Sequence, residues 1–423
     1  MQHTGNQKNM GWLVTFAGTA ALLALGVLYA WSVFKANIPA EWGWAESQKT
    51  LPYSVACVVF SIMTMVGARL MVRFGPRTIV SIGGLLAGIG VIISSFSDSP
   101  IIFTLAFGLL LGTGIAFVYA TASPTALRWF PSSKTGLISG IVVAGFGMGS
   151  AWVAPLARYM MSSLGLQTTM LYLGIGMLLI VVGFAQFLKF PPADFIPEED
   201  KPAKNAAATT EIDFTARETA RTWQFYFIWI TFAFGSGAGL MVIGSLASIV
   251  KDQIGLPAFG AIAVSALAIG NGGGRILYGL LSDKIGREKV LLIAFLFQAS
   301  LISSLFFWGS DSVLANPSVL MVFVALIGAN YGANLAVFPP LTKDFYGPKN
   351  FAINYGIVYT AWGLGGFMVS QLASIIKDVF GSYDYAYLLA ASMLIIAAMM
   401  MSMLRSPQLK TGSLVAKQAA AAD

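Results

Sequence analysis

Charged residues are scarce in this sequence. Its 423 residues include 25 basic and 18 acidic side chains, which amounts to 10% of the chain, whereas a soluble domain carries about 25%. Many uncharged stretches reach roughly 20 residues, the length at which a helix crosses the hydrocarbon core of a bilayer. The composition therefore excludes a soluble enzyme and a disordered protein, and it predicts a protein embedded in the lipid bilayer.

Cysteine and histidine are almost absent. The single cysteine, Cys57, lies in an apolar stretch and can form no internal disulfide, which excludes a disulfide-stapled secreted domain and indicates a small core residue. The single histidine, His3, lies in the N-terminal tail, and the predicted spans contain no internal Asp or Glu. A membrane enzyme needs convergent acid, base or metal-binding groups. We therefore predict no catalytic residues, no metal site and no cofactor.

Hydrophobic residues make up 57% of the chain and fall into twelve predicted helical spans, since a segment in lipid must satisfy its own backbone hydrogen bonds. The predicted spans are 11–35, 50–72, 77–97, 101–123, 135–161, 167–189, 223–250, 258–281, 289–309, 317–340, 351–376 and 382–404. A charged segment with the run Asn205–Thr210 divides them. We predict an N-terminal six-helix bundle at 1–190, a cytoplasmic linker at 191–222 and a C-terminal six-helix bundle at 223–423.

The Lys/Arg distribution predicts the orientation. With both termini placed inside, nineteen basic residues fall on the inner side and five on the outer side: Lys35, Lys49, Arg158, Lys251 and Lys377. This bias explains the net charge of +7 without nucleic acid as a partner. We expect a multi-pass protein of the plasma (inner) membrane with cytoplasmic termini, active as a monomer.

The two halves repeat each other. A shift of 216 residues places Gly140–Gly149 on Gly356–Gly365, and it places Pro124 on Pro340. Parallel repeats imply a pseudo-twofold axis along the membrane normal, with a substrate site near the midplane between the halves.

The loop between the eighth and ninth spans carries a recognisable motif. Its sequence, Gly279-Leu-Leu-Ser-Asp-Lys-Ile-Gly-Arg287, resembles the loop motif of the major facilitator superfamily. Asp283 can pair with cationic groups at the inner helix ends, and Gly279 and Gly286 permit a tight turn. In the first-half copy Val72 stands where the aspartate is expected. The resemblance implies an all-α membrane protein of twelve transmembrane helices in two pseudo-symmetric six-helix bundles.

Arg275 is the one cation predicted inside the membrane. It lies eight residues before Asp283, roughly 12 Å deep at 1.5 Å per residue, where a charge is costly and usually functional. An ion pair that holds the halves together is the structural alternative, but no acid is predicted mid-span. A substrate anion is therefore the expected partner, and the planar guanidinium suits a carboxylate.

Several nearby side chains are candidates for lining the same cavity. Asn271, one turn before Arg275, could bind a ligand or orient the guanidinium. Three tyrosines could supply hydroxyl donors or pack as aromatic core, and a leucine would shape an apolar wall. These candidates are Tyr119, Tyr331, Tyr359 and Leu28.

A finer resemblance is to the monocarboxylate transporter family and the bacterial oxalate/formate exchangers, and it is nearest to bacterial homologues that take L-lactate. Span 5 begins with Arg128-Trp-Phe-Pro-Ser-Ser-Lys-Thr-Gly-Leu-Ile-Ser-Gly140, similar to the family's entry into that helix. The family's carboxylate-binding arginine in span 8 corresponds to Arg275. The resemblance implies a secondary transporter working by alternating access.

Two departures bear on substrate and coupling. Animal members have an aspartate where this chain has Asn271 and a span-1 lysine where it has Leu28, so the pair associated with proton coupling is missing. The exchangers carry a lysine in span 11, but Tyr355–Gln371 contains no cation. We expect a small monocarboxylate and a proton as substrates in symport. Oxalate/formate-type anion exchange is the alternative.

Overall fold

The computed structural model describes residues 10–131, 134–192, 195, 213–312 and 315–407. His3 and most of the predicted linker, with its run Asn205–Thr210, lie outside these ranges, so the domain boundaries stay a prediction. The described residues of the first half form α-helices α1 to α7, which are, in chain order, Gly11–Ala24, Trp31–Lys35, Glu46–Phe74, Pro76–Ser94, Pro100–Phe103, Gly112–Leu127 and Thr135–Ala185. The second half contains α8 to α14: Ala216–Thr219, Trp223–Asp252, Gly260–Ile285, Arg287–Ser304, Pro317–Tyr346, Phe351–Phe380 and Asp384–Met403.

Nine helical segments of the described residues are long and apolar enough to cross a membrane, and the other predicted spans are interrupted or more polar. The first span divides into α1 and α2 around hydrogen-bonded turns at residues 25–30. The fifth and sixth spans form one run, α7, that is broken at Gly165, where φ is 74° and ψ is 174°. Span 11 corresponds to α13, which carries Asn354, Gln371 and Lys377.

Part of the fourth span is a π-helix. Residues Thr104–Leu111 have this wider form and connect α5 to α6. A π-helical turn leaves backbone groups less regularly paired than an α-helix does, and such turns occur often near functional sites. The sequence does not reveal it, because the apolar run is continuous through the segment.

The sequence repeat is visible in the backbone. Gly75 separates α3 from α4 with φ 81° and ψ 159°, and Gly286 separates α10 from α11 with φ 98° and ψ 150°. These glycines correspond under a shift of 211 residues. Positive φ costs glycine little because it has no Cβ, so the same tight turn is built at the same place in both halves.

Close helix packing fixes the candidate region in the second half. A methyl group on Gly274 of α10 would collide with the carbonyl oxygen of Ala329 in α12, and one on Gly328 of α12 would collide with that of Leu267 in α10. Small residues on both helices thus bring the two backbones into contact, as is usual in membranes. We call this α10–α12 contact the glycine seam.

Candidate functional site

Arg275 lies on α10 at the boundary between the two halves and is 9% exposed. Its Nε donates a 3.2 Å hydrogen bond to Oδ1 of Asn271, and its Nη1 donates one of 3.1 Å to the carbonyl oxygen of Val143 in α7. No carboxylate of the described residues forms an ion pair with it. The buried charge is therefore balanced by dipoles and not by an acid.

Two buried donors at this place have no hydrogen-bond partner in the described structure. They are Nη2 of Arg275 and Nδ2 of Asn271. Leaving buried donors unpaired costs roughly 1–3 kcal/mol each, and more when the group is charged. Two adjacent donors, one of them cationic, match the two oxygens of a carboxylate.

Gly147 of α7 gives the guanidinium its space. A Cβ built on this glycine would lie 3.1 Å from both Cζ and Nη2 of Arg275, closer than ordinary van der Waals contact. The repeat placed Gly147 in a glycine-rich stretch, and close helix packing explains several of those glycines. At this position the missing side chain also leaves room for the charge of the opposite half.

Aromatic side chains from both halves surround the boundary near Arg275. Phe146, adjacent to Gly147, packs with its ring centroid 5.5 Å from Phe60 and 5.7 Å from Tyr119. Tyr119 stacks on Tyr359 at 6.5 Å, and Tyr359 stacks on Trp362 at 5.6 Å. We call these five residues the aromatic cage. The structure thus brings Tyr119 and Tyr359 into contact, and Tyr119 is the less buried of the two.

Tyr331 belongs to a hydrogen-bonded chain that crosses between the halves. Its hydroxyl lies 2.9 Å from the hydroxyl of Tyr29, which follows α1, and it accepts a 2.8 Å bond from Nε1 of Trp362. Tyr29 also packs against Phe146 at 4.8 Å. Leu28, the neighbour of Tyr29, is fully buried in the hydrophobic core. Tyr29 is a polar group that the sequence analysis missed.

A second cluster of charges joins the two halves at the end of the boundary that the Lys/Arg bias predicts to face outward. Lys35 of α2, placed on the outer side at the end of the first predicted span, is only 2% exposed and pairs with Glu46 of α3 at 3.2 Å. Lys377 of α13 lies 3.9 Å from Glu46 and pairs with Asp252 of α9 at 2.7 Å. Asp378 accepts hydrogen bonds from the backbone nitrogens of Glu46 and Ser47 at the start of α3. We call Lys35, Glu46, Asp252, Lys377 and Asp378 the outer lock.

Hydrogen bonds between the halves are distributed unevenly along the boundary. They run from the outer lock inward through Ser265, whose hydroxyl donates to the carbonyl oxygen of Ala151 at 2.8 Å, to the bond from Arg275 to Val143. Among the described residues none lies closer to the inner ends of the helices. With the orientation predicted from the Lys/Arg bias, the molecule is closed on its outer side, and Arg275 makes the innermost bond between the halves.

The motif residues lie at the inner end of the second half. Asp283 pairs with Nη1 of Arg287 at 2.6 Å, and Nε of Arg287 lies 3.4 Å from Asp344 of α12. Gly286 makes the turn between them, and Gly279 lies one turn of α10 before Asp283. The motif therefore joins α10, α11 and α12 by charge at some distance from the buried Arg275.

Comparison with known sequences identifies the family. Residues 11–298 and 233–421 both match the Major Facilitator Superfamily. The chain belongs to this superfamily. It is 28% identical over 393 residues to the oxalate:formate antiporter of Oxalobacter formigenes, covering 92% of this chain and 90% of the relative. It is also 25% identical over 390 residues to monocarboxylate transporter 13 of Bos taurus, covering 91% and 87%.

A solved structure shows the same fold. This chain superposes with a TM-score of 0.70 on the crystal structure of a bacterial homologue of the human lysosomal transporter Spinster, which is in an inward-facing and unoccupied conformation. The match covers 94% of this chain and 97% of the other chain, at 15% sequence identity. The predicted twelve-helix fold and the resemblance to the monocarboxylate transporter family are thereby confirmed. The chain is a membrane transport protein and not an enzyme.

Proposed function

We propose that this protein is a secondary transporter of small monocarboxylates such as L-lactate, and that Arg275 binds the carboxylate. The observation that carries the proposal is a buried guanidinium that forms no ion pair with a carboxylate of the described residues, and both its Nη2 and the Nδ2 of its hydrogen-bond partner Asn271 have no partner among those residues. A bound carboxylate supplies the missing negative charge and acceptors. The sequence relatives that bear the names of an oxalate:formate antiporter and a monocarboxylate transporter support an organic anion as substrate.

The charges near the site support a substrate with one carboxylate. The described part of α13 from Tyr355 to Gln371, which faces the site through Tyr359 and Trp362, has no cation. The next cation, Lys377, is engaged by Asp252 in the outer lock. A dicarboxylate would therefore leave one buried charge unpaired, which is costly.

Proton symport is the proposed mode of transport, by alternating access of the two halves. Candidate proton carriers are the substrate carboxylate itself, Asp252 and Asp378. The two aspartates belong to the outer lock, where Asp252 pairs with Lys377 and Asp378 accepts from the start of α3.

Anion exchange of the oxalate/formate kind is the second candidate, and the state of the empty Arg275 favours it. Without substrate, this arginine bonds to an amide and a backbone carbonyl only. The empty carrier must therefore reorient with an uncompensated buried charge, whereas the loaded carrier holds a neutral pair. That difference makes return with a second anion easier than return empty.

Variants of Arg275 test the binding assignment. Arg275→Ala is expected to abolish saturable uptake of L-lactate into proteoliposomes while the protein remains folded, and Arg275→Lys is expected to be poor because a point charge replaces a planar fork. Arg217→Ala, which removes an exposed arginine, is the charge-matched control and should transport normally. Wild-type affinity in Arg275→Ala would refute the assignment.

A gradient experiment separates the two modes. Empty proteoliposomes are given an inward proton gradient and labelled L-lactate. Concentrative uptake that a protonophore collapses supports symport. Uptake that appears only after the liposomes are preloaded with lactate, formate or oxalate establishes exchange and rejects the symport proposal.

A further inference from the structure

A cavity lies between the halves at the end of the boundary that carries the outer lock, and we call it the outer cavity. Its volume is about 230 Å³, and its walls come from the end of α2, from α7, from α9 and from the start of α10. The polar residues in its lining are Asn37, Arg158, Ser162 and Lys251. No acidic residue is among the residues that line it.

Each of the two cations that line this cavity donates a hydrogen bond to the opposite half of the molecule. Arg158, from the first half, donates from Nη1 to the carbonyl oxygen of Pro257 in the second half at 2.5 Å. Lys251, from the second half, donates to the carbonyl oxygen of Ala36 in the first half at 3.3 Å. Neither cation forms an ion pair with a carboxylate of the described residues, whereas Lys35, Lys49 and Lys377, the other outer cations, all do.

This cavity is separate from the Arg275 site. Ala261, in its wall, lies fourteen residues before Arg275 on α10, which is about 21 Å along the helix. The bond from Ser265 to Ala151 lies between the two places. An anion in the outer cavity therefore meets different groups from an anion at Arg275.

We propose that the outer cavity is a second anion site, in which Arg158 and Lys251 bind a small organic carboxylate before the halves open and the substrate reaches Arg275. The choice of a carboxylate rests on the proposed function. The site has two positive charges without a compensating acid, donors that a carboxylate can bridge, and room for a few non-hydrogen atoms. Concentrating the anion at the entrance raises the rate of capture.

A protection experiment reports on this cavity directly. Ser162→Cys places a thiol in the lining, and Ser163→Cys places one on the neighbouring exposed residue outside it. The native Cys57 is buried, so the background labelling is low. Both variants are made with Arg275→Gln and labelled from outside with a membrane-impermeant maleimide, with L-lactate or with the larger anion MES at equal ionic strength.

L-Lactate is expected to slow the labelling of Ser162→Cys several-fold and to leave the labelling rate of Ser163→Cys unchanged. This protection of Ser162→Cys should be lost when Arg158→Gln and Lys251→Gln are added. Lys289→Gln combined with Lys343→Gln, which removes two exposed cations far from the cavity, is the charge-matched control and should retain protection. The proposal is overturned if lactate gives no protection, if MES protects equally, if both thiols are protected, or if protection survives loss of both cations. Because Arg275 is already removed and no transport is measured, these results are independent of the uptake assays that test the proposed function.

Discussion

The guanidinium of Arg275 makes its two hydrogen bonds to an amide oxygen and a backbone carbonyl, and each comes from a different half of the molecule. Such dipoles hold a buried cation in place, but they do not neutralise it. An incoming carboxylate can bind the free Nη2 and compete with Val143 for Nη1. Under the proposed function, substrate binding and release of this bond between the halves are one event.

The fit of Arg275 against Gly147 gives the first prediction. Gly147→Ala is expected to weaken L-lactate affinity, by up to about tenfold or 1.4 kcal/mol, because the new methyl group displaces the guanidinium from its position. Gly140→Ala on the same helix is the control, since its added Cβ meets no atom within 4 Å. Uptake kinetics measure both. Equal affinities in the two variants would show that this contact does not position the arginine.

A charge-introducing variant follows from the second neighbour of Arg275. In Asn271→Asp a carboxylate replaces the amide that accepts from Nε, and the adjacent guanidinium favours the ionised form of that carboxylate. The new carboxylate competes with the substrate for Arg275, so L-lactate should bind more weakly to this variant than to the wild type at neutral pH. Binding of L-lactate to both proteins is the measurement, and wild-type affinity in Asn271→Asp would contradict the prediction.

At this scale the sequence predicts the position of Arg275 better than its surroundings. A lone cation in a long apolar run, eight residues before Asp283 of the loop motif, must lie in the membrane wherever the chain crosses it. The sequence does not predict that Lys35 is buried, because this lysine ends an apolar run and its partners are distant in the chain: Glu46 of α3, Ser245 of α9 and Tyr383 just before α14. The sequence does not predict the hydrogen bond of Tyr29 for the same reason, since its partner Tyr331 is 302 residues away.

At the level of helices, the outer lock joins the start of α3 to the end of α13. Asp378 accepts from the first backbone nitrogens of α3, where a helix offers unpaired donors and a positive dipole end. Glu46, on the same turn, supplies the carboxylate for the buried Lys35. The lock therefore combines a helix cap supplied by the other half with a partly buried ion pair.

Glu46→Gln is expected to favour opening of the outer side. The closed form loses the carboxylate that compensates Lys35 and Lys377, whereas both ammonium groups are hydrated once the halves part. The readout is labelling from outside of Ser245→Cys, a position that is 3% exposed in this closed arrangement. Labelling should be faster with Glu46→Gln than with Glu41→Gln, a control at an exposed acid nearby. Equal rates would mean that Glu46 does not hold the outer side closed.

Among the features of the helices, the interruptions are the ones that the sequence does not predict. The spans themselves follow from length and hydropathy, because lipid leaves the backbone few alternatives. The break at residues 25–30 and the π-helix at Thr104–Leu111 depend on contacts with other helices. At the first break, for example, Gly26 lies so close to Gly149 of α7 that a methyl group on either would collide with the other backbone.

At the scale of the whole molecule, the hydrogen bonds and ion pairs between the halves are concentrated towards one end, so the carrier is closed at that end. The bonds extend from the outer lock to Arg275, and among the described residues they go no further inward. The sequence predicts the two halves, because glycines and prolines recur in order at shifts of 211 and 216 residues. It does not predict which end is closed, since the same repeat is compatible with either state.

The glycine seam has a practical consequence for measuring such motion. Since the backbones of α10 and α12 already touch, the two helices can neither approach further nor slide without a clash, and we expect them to keep one separation throughout transport. Spin labels at Ile269 and Val322, exposed positions on these two helices, should therefore give the same distance distribution with and without substrate. A pair at Leu137 of α7 and Leu280 of α10, both exposed, should change as the halves move. The distance between the first pair of labels is thus an internal reference for the distance between the second pair. If the first distance increased on substrate addition, the second half would not move as a rigid body.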